Sequence, residues 1–385
     1  MTHGQAVVDV YATEPHFVNH MLPIWRAMPP ELRGAFYTRR EYDPGILGEP
    51  RSERAGHGDL FLVCSFGDLR MVTATSTRTV IFSEHGAGFT FANEYGYVYR
   101  SYAGADDRPC VGLFLNVNDT VQRANARAHP HARGVVIGSP KMDQWYNPKR
   151  FRPQTVTGAD VPTVAIAFHW DGHILSPGIG NAFNHFRSAL PALAARTDIR
   201  LVGHAHPRFA TEMQMECMAL NIPYVERLDD VFRQADVLVA DATSAMYEFA
   251  SLDRPVVTMN TPEYRREPDR GIRFWQHIPG IQVDEPEDLA QATLNALDDP
   301  PELQAIRRSA VEAVYPIRGD AAQRAVSAIA DFVDLCHRSE TDDPTQQTYH
   351  ARVRDSVASG GGGRRRPFEP IEEDVFDVTQ EVSPR

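Results

Sequence analysis

Short apolar runs and amphipathic stretches alternate almost from the start of the chain. "QAVVDVYA" (5–12), "DLFLVCSF" (59–66), "RTVIFSE" (78–84), "PCVGLFLNV" (109–117) and "GVVIGSP" (134–140) are rich in Val, Ile, Leu and Phe. They are continuous rather than alternating, which predicts parallel strands covered on both faces. "HFVNHMLPIWRAM" (16–28) predicts a helix that continues through Pro23. The polar, proline-containing stretch 150–162 then breaks the pattern and marks a domain boundary. Beyond it the alternation restarts. "TVAIAFHW" (163–170), "DIRLVGHAHP" (198–207), "PYVE" (223–226), "VLVA" (237–240) and "RPVVTM" (254–259) read as strands. Helices are predicted at 181–196 with a break at Pro191, at 208–221 and at 228–235. A further short one follows "VLVA", and three close the array at 287–299, 301–315 and 319–336.

Two consecutive arrays of this kind predict an α/β protein of two doubly wound domains facing one cleft, 1–150 and 151–338. From 339 to 385 the apolar periodicity disappears. Four glycines, three arginines and an acidic run follow, which predicts a disordered tail.

Composition narrows the class. Hydrophobic residues make up 42% and charged residues 23% of 385, as in a globular protein. No apolar run approaches the roughly 18–20 residues of a membrane span, so at most peripheral membrane contact is expected. The first residues show no secretory leader pattern, and a cytoplasmic protein is expected. The formal net charge of −12 argues against a nucleic-acid partner. Cys64, Cys110, Cys217 and Cys336 are scattered, which reads as reduced, mostly buried thiols.

Ligands of open parallel sheets bind outside the carboxyl ends of the strands, so the residues after each run carry the candidate chemistry. "SEHGAGF" places His85 and Gly86 after one strand. A neutral imidazole there suits a general base, and a structural histidine in a glycine-rich turn is the other reading. "GSPKMD" brings Lys141 near a strand exit, either toward an anion or within a plain turn. "HWDGHILSPGIGN" sets Ser176, Gly178 and Gly180 before a helix, where backbone N–H groups receive anions. It lacks the spacing of a P-loop. His169, Asp171 and His173 have no further strong ligand at a matching spacing, so no metal site is expected. "HAHP" puts His206 at a strand end, where it can meet a phosphate. "ADATSAMYE" forms a strand-to-helix corner of Asp241, Thr243 and Ser244, suited to a diphosphate or to helix capping. Glu248, four residues beyond Ser244, shares its helical face and suits a ribose hydroxyl or an exposed position.

The order of these motifs resembles the CDP-glycerol glycerophosphotransferase family, GT-B-type transferases of teichoic acid synthesis. The resemblance rests on His85-Gly86, on "GSPKMD", on His206-Pro207, on "LDDVFRQADVLVADATSAMYEFASLDRPVV" and on "GDAAQR" (319–324). Glu84 stands where the family has Trp, and Lys141 where it has Arg. The resemblance implies a GT-B fold, with His85 as base and His206, Thr243 and Ser244 as holders of the donor phosphates. It implies a transferase moving a glycosyl or polyol-phosphate group from a nucleotide-activated donor to an acceptor hydroxyl, without cofactor or metal. The acceptor, whether polymer, protein or lipid-linked, is left open. A nucleotide-sugar epimerase of the same build and a non-catalytic binding protein are the alternatives.

Overall fold

The computed structural model describes residues 6–87, 91–92, 98–99, 101, 103–104, 108–147, 161–170, 181–241, 243–261, 274–342 and 375–379. The chain begins with β1 (Val8–Tyr11), α1 (Pro15–Ala27), β2 (Arg33–Arg39), β3 (Leu60–Val63), α2 (Phe66–Thr75) and β4 (Thr79–Ser83). A two-stranded ribbon, β5 (Phe91–Ala92) and β6 (Val98–Tyr99), precedes β7 (Val111–Asn116), α3 (Asp119–Ala128), β8 (Arg133–Val136) and α4 (Asp143–Tyr146). The second array holds β9 (Thr163–Phe168), α5 (Phe183–Phe186), α6 (Leu190–Ala194), β10 (Arg200–Ala205), α7 (Ala210–Leu220) and α8 (Leu228–Gln234). It continues with β11 (Val237–Ala240), α9 (Ser244–Ala250), β12 (Val256–Met259), β13 (Ile281–Val283), α10 (Leu289–Leu297) and α11 (Pro301–Val314). Then come α12 (Ala321–Asp342) and β14 (Val375–Asp377).

Two compact units result. Residues 1–85, 100–143 and 317–385 make the first, and 86–99 and 144–316 the second. The first is built on a sheet of order β14-β2-β1-β3-β4-β7-β8, and the second on β10-β9-β11-β12-β13. All pairings in these two sheets are parallel except that of β14 with β2. In each sheet the second parallel strand lies on one side of the first and the later ones on the other. The direction of winding therefore switches between β1 and β3, and between β9 and β11, which is where doubly wound sheets bind ligands.

The predicted apolar runs are these strands: β3, β9, β11 and β12 are buried along their whole length. Asp9, in the middle of β1, has no exposed surface. Its Oδ1 accepts the N–H groups of Ala35 (2.8 Å) and Gly56 (3.0 Å). Its Oδ2 accepts Gly58 N–H (2.9 Å) and Arg78 Nη1 (3.1 Å). Four donors satisfy a charge that would otherwise be prohibitive in a core. The neighbouring β2 approaches so closely that a Cβ on Gly34 would sit 2.3 Å from Asp9 Oδ1.

Four expectations need correction. The closing helix α12 was expected in the second domain, but Ala325, Ile329, Phe332 and Val333 join the core formed by α1, β1 and β3 of the first unit. Helical periodicity tells which face is apolar, not which sheet that face covers. The first boundary falls at 143/144 rather than 150, because Trp145 packs edge-on against Phe232 (5.4 Å between centroids) in the second unit. Finally, Val375–Asp377 within the expected disordered tail forms an antiparallel edge strand on β2, and Val378 is 3% exposed in the core. The predicted strand at 223–226 is reduced to one bridge, Gly203 with Tyr224.

Candidate active site

At the carboxyl edge of the first sheet, His85 lies two residues beyond β4. Its Nδ1 donates to the carbonyl of Cys64, just past β3, at 2.5 Å. A carbonyl only accepts, so a proton is on Nδ1, and in the neutral form of the ring Nε2 is then the basic nitrogen. That is the tautomer a general base needs. The start of α1 reaches the same edge. Phe17 meets the His85 ring edge-on at 4.9 Å, with His20 at 6.1 Å and His16 at 6.2 Å. His16 and His20 are one helical turn apart and share a face. His20 is buried, and its pKa is held well below the usual 6.5 by that burial, then by Lys141, His85 and His16. Lys141, in a 3-10 turn at Pro140–Met142, is itself 7% exposed. Three imidazoles and an ammonium thus gather at one strand-end surface, with Glu14 Oε2 3.7 Å from His16. His16 and His20 were not picked out from the sequence, although the i, i+4 spacing in "HFVNH" was visible there.

Other motif residues of this unit shape the backbone. Glu84 is buried and its Oε1 accepts from Asn125 Nδ2 (3.1 Å), which also donates to Asn116 Oδ1 (2.7 Å). Asp68, on the first turn of α2, accepts from Thr13 Oγ1 (2.5 Å), and burial pushes its pKa up to about 6. The two ends of the quoted motif set also meet. Asp143 of "GSPKMD" accepts the N–H groups of Ala321 (2.9 Å) and Ala322 (2.8 Å), capping α12. Arg324 of "GDAAQR" donates back to the carbonyls of Ile137 (2.9 Å) and Gly319.

In the second unit the strand ends of β9, β10 and β11 carry the chemistry. His206 follows β10, and its Nδ1 accepts the backbone N–H of Arg208 (3.2 Å). The proton of the neutral ring is therefore on Nε2, a donor suited to a phosphate oxygen. His169, after β9, lies 5.1 Å from the His206 ring, and the Arg208 guanidinium covers the Trp170 ring at 5.0 Å. Trp170 and Arg208 were not among the candidates; only their position after a strand marked them. Thr243 caps α9 by accepting Ala245 N–H (3.3 Å), and Ser244 opens that helix, both half-buried.

Two expectations change here. Asp241 has no exposed surface, and both its oxygens hold backbone: Oδ1 accepts His169 N–H (2.8 Å) and Oδ2 accepts Ala182 N–H (3.1 Å). It does not face a donor. Burial raises its pKa to about 7, against the pull of those two N–H groups. Glu248 is 1% exposed rather than an open acceptor on the α9 surface. Ser176, Gly178 and Gly180 lie outside the described residues. Arg254, the basic residue before Pro255, donates to the carbonyls of Phe232 (2.6 Å) and Ala235 (2.8 Å) at the end of α8. Among the described residues no group of three His, Cys, Asp or Glu side chains is placed to hold a metal ion. No helix among them is long and apolar enough to cross a membrane.

Two doubly wound units, each with polar chemistry at its strand ends, define the GT-B class of fold. Comparison with solved structures agrees with it. The structure of S. aureus MnaA with UDP superimposes with a TM-score of 0.58 at 14% identity, over 86% of this chain and 97% of that one. A UDP-N-acetylglucosamine 2-epimerase described as from Listeria monocytogenes gives 0.55 at 15%, over 88% and 98%. The wall teichoic acid polymerase TagF gives 0.53 at 14%, over 88% and 90%. Residues 172–331 match the family model of CDP-Glycerol:Poly(glycerophosphate) glycerophosphotransferase, which anchors the sequence resemblance on the second unit and the start of α12. No match to a curated protein was found.

Proposed function

We propose that the protein is a GT-B-type transferase that moves a polyol-phosphate or glycosyl group from a nucleotide-activated donor to an acceptor hydroxyl. The observation that carries this reading is the family match over 172–331, which contains His206, Thr243 and Ser244 at successive strand ends of one sheet. In this reading the second unit holds the donor, with His206 Nε2–H and the Ser244 hydroxyl on its phosphates. The first unit supplies the base. The acceptor O–H gives its proton to His85 Nε2 as its oxygen bonds to the transferred phosphorus or sugar carbon, and the donor's bond to the departing nucleotide breaks. Protein donors meet the phosphate charge, so transfer runs without a metal, in the cytoplasm where nucleotide-activated donors are made.

The test is release of CMP from CDP-glycerol, or of the nucleoside diphosphate from sugar nucleotides, with a panel of hydroxyl acceptors and with EDTA present. Activity that survives EDTA and falls at least about 100-fold in His85→Ala supports the proposal. The neighbour described as a UDP-N-acetylglucosamine 2-epimerase supports a second reading. Acceptor-independent conversion of UDP-N-acetylglucosamine to its 2-epimer would establish that one instead.

A further inference from the structure

We infer that Asp241 is a positioning residue: a buried carboxylate that clasps both ends of the connection leaving β9 and thereby sets the donor face of the second unit. The inference rests on the transferase reading for the donor itself. The clasp stands on geometry alone. Asp241 closes β11, and β11 and β9 flank the point where the winding of the sheet reverses. Its two oxygens accept N–H groups from residues thirteen positions apart, His169 and Ala182. A second strap crosses the same base. Asn181 Nδ2 donates to the His169 carbonyl (2.9 Å), while its Oδ1 accepts Phe183 N–H (3.3 Å). His169 is thus fixed through both its N–H and its C=O.

Capping does not explain Asp241. The cap of α9 is Thr243, whose hydroxyl accepts Ala245 N–H. Nor does contact with solvent or ligand, since the residue has no exposed surface. What the clasp controls is the residues around its partners. His169 holds its ring 5.1 Å from His206, whose own tautomer is set by Arg208 N–H, and Arg208 lies over Trp170. All four side chains sit at the carboxyl ends of β9 and β10. The two N–H groups are met by different oxygens of Asp241, and a carboxylate is the side chain that presents an accepting oxygen to each. Asparagine keeps one acceptor and turns an NH₂ toward the other N–H.

Asp241→Asn in the full chain is the test, with Asn181→Ala as a second variant that leaves Asp241 in place. Amide exchange followed by mass spectrometry should show protection at 169 and 182 falling at least about tenfold in Asp241→Asn. The interior of β9, 164–167, should keep its protection. The donor KM, and the dissociation constant of the matching free nucleotide, should rise about tenfold with kcat within about threefold. Asn181→Ala should move the same quantities in the same direction by less. Unchanged protection at 169 and 182 would overturn the clasp. Lost protection with unmoved donor KM and nucleotide affinity would overturn its positioning role. So would a fall in kcat at constant KM, the mark of a smaller folded fraction. If Asp241→Asn does not fold, Asn181→Ala decides by the same readings. If the wild-type protein neither binds nor turns over any nucleotide-activated donor, the transferase reading and the donor role fall together, while the exchange result still decides the clasp.

Discussion

Asp143→Ala should destabilise the first unit by about 2–4 kcal/mol. Asp143 caps α12, a helix of 22 residues, by accepting two adjacent backbone N–H groups at 2.9 and 2.8 Å. Those groups belong to Ala321 and Ala322, which are 1% and 9% exposed, so water does not readily replace the carboxylate. A buried donor left without a partner costs about 1–3 kcal/mol, and loss of a helix cap typically about 1. Two such donors, one of them at the less buried Ala322, bring the figure to about 2–4 kcal/mol. Asp143→Asn keeps one acceptor and should lose about half as much. Thermal unfolding by circular dichroism reads this as roughly 2–4 °C per kcal/mol in a unit of this size. Nucleotide binding by the second unit should persist below the transition. A loss under about 0.5 kcal/mol for the alanine variant, or equal losses for Ala and Asn, would refute the capping argument.

The pH dependence of stability should carry two opposed contributions. Burial raises Asp68 from 3.8 to about 6, so the folded chain holds this proton more tightly than the unfolded one. Its contribution is full below pH 3.8 and is lost as pH rises to about 6. It amounts to about 3 kcal/mol, and urea titrations of Asp68→Asn should lack that slope. His20 runs the other way. Its folded pKa lies below 6.5, so its contribution is present above pH 6.5 and is lost as pH falls further. His20→Gln should flatten stability in that acid range, and a slope identical to wild type would sink the assignment. Deleting residues 343–385 removes β14 and uncovers the edge of β2, Arg33–Arg39. An unpaired edge strand invites another, so the truncated chain should self-associate with concentration in sedimentation velocity. A strictly monomeric truncation would show that β14 does not guard that edge.

The sheets were legible because their strands are continuous apolar runs, and a strand buried on both faces has no other way to look. β2 was not, because "RGAFYTR" carries arginine at both ends and a glycine forced by Asp9, a contact made 25 residues away in sequence. β14 was hidden for a similar reason: three residues of an acidic segment become a strand only because β2 has an open edge. Strand-end position was enough to nominate His85, His206 and the Thr243–Ser244 corner. It was not enough to give roles. Asp241 looks like a ligand contact in its motif and proves to hold two backbone N–H groups, as does Asp143 of "GSPKMD". Only coordinates separate a carboxylate that meets a ligand from one that meets the chain.

The same distinction bears on the two histidines, which a sequence presents as equivalent. His85 and His206 both follow a parallel strand, and both have Nδ1 engaged by backbone. The partner differs, and the difference decides the chemistry. A carbonyl at Cys64 puts a proton on His85 Nδ1, so in the neutral ring Nε2 is the basic nitrogen. An N–H at Arg208 forces the lone pair onto His206 Nδ1 and leaves Nε2 a donor. A transferase needs one of each: a group that takes a proton from the incoming hydroxyl, and a group that gives a hydrogen bond to the phosphate. A protein that only bound a nucleotide would need the donor but would have no use for the base. Hence the proposed base role of His85 rests on a tautomer set by a backbone carbonyl rather than by a side chain.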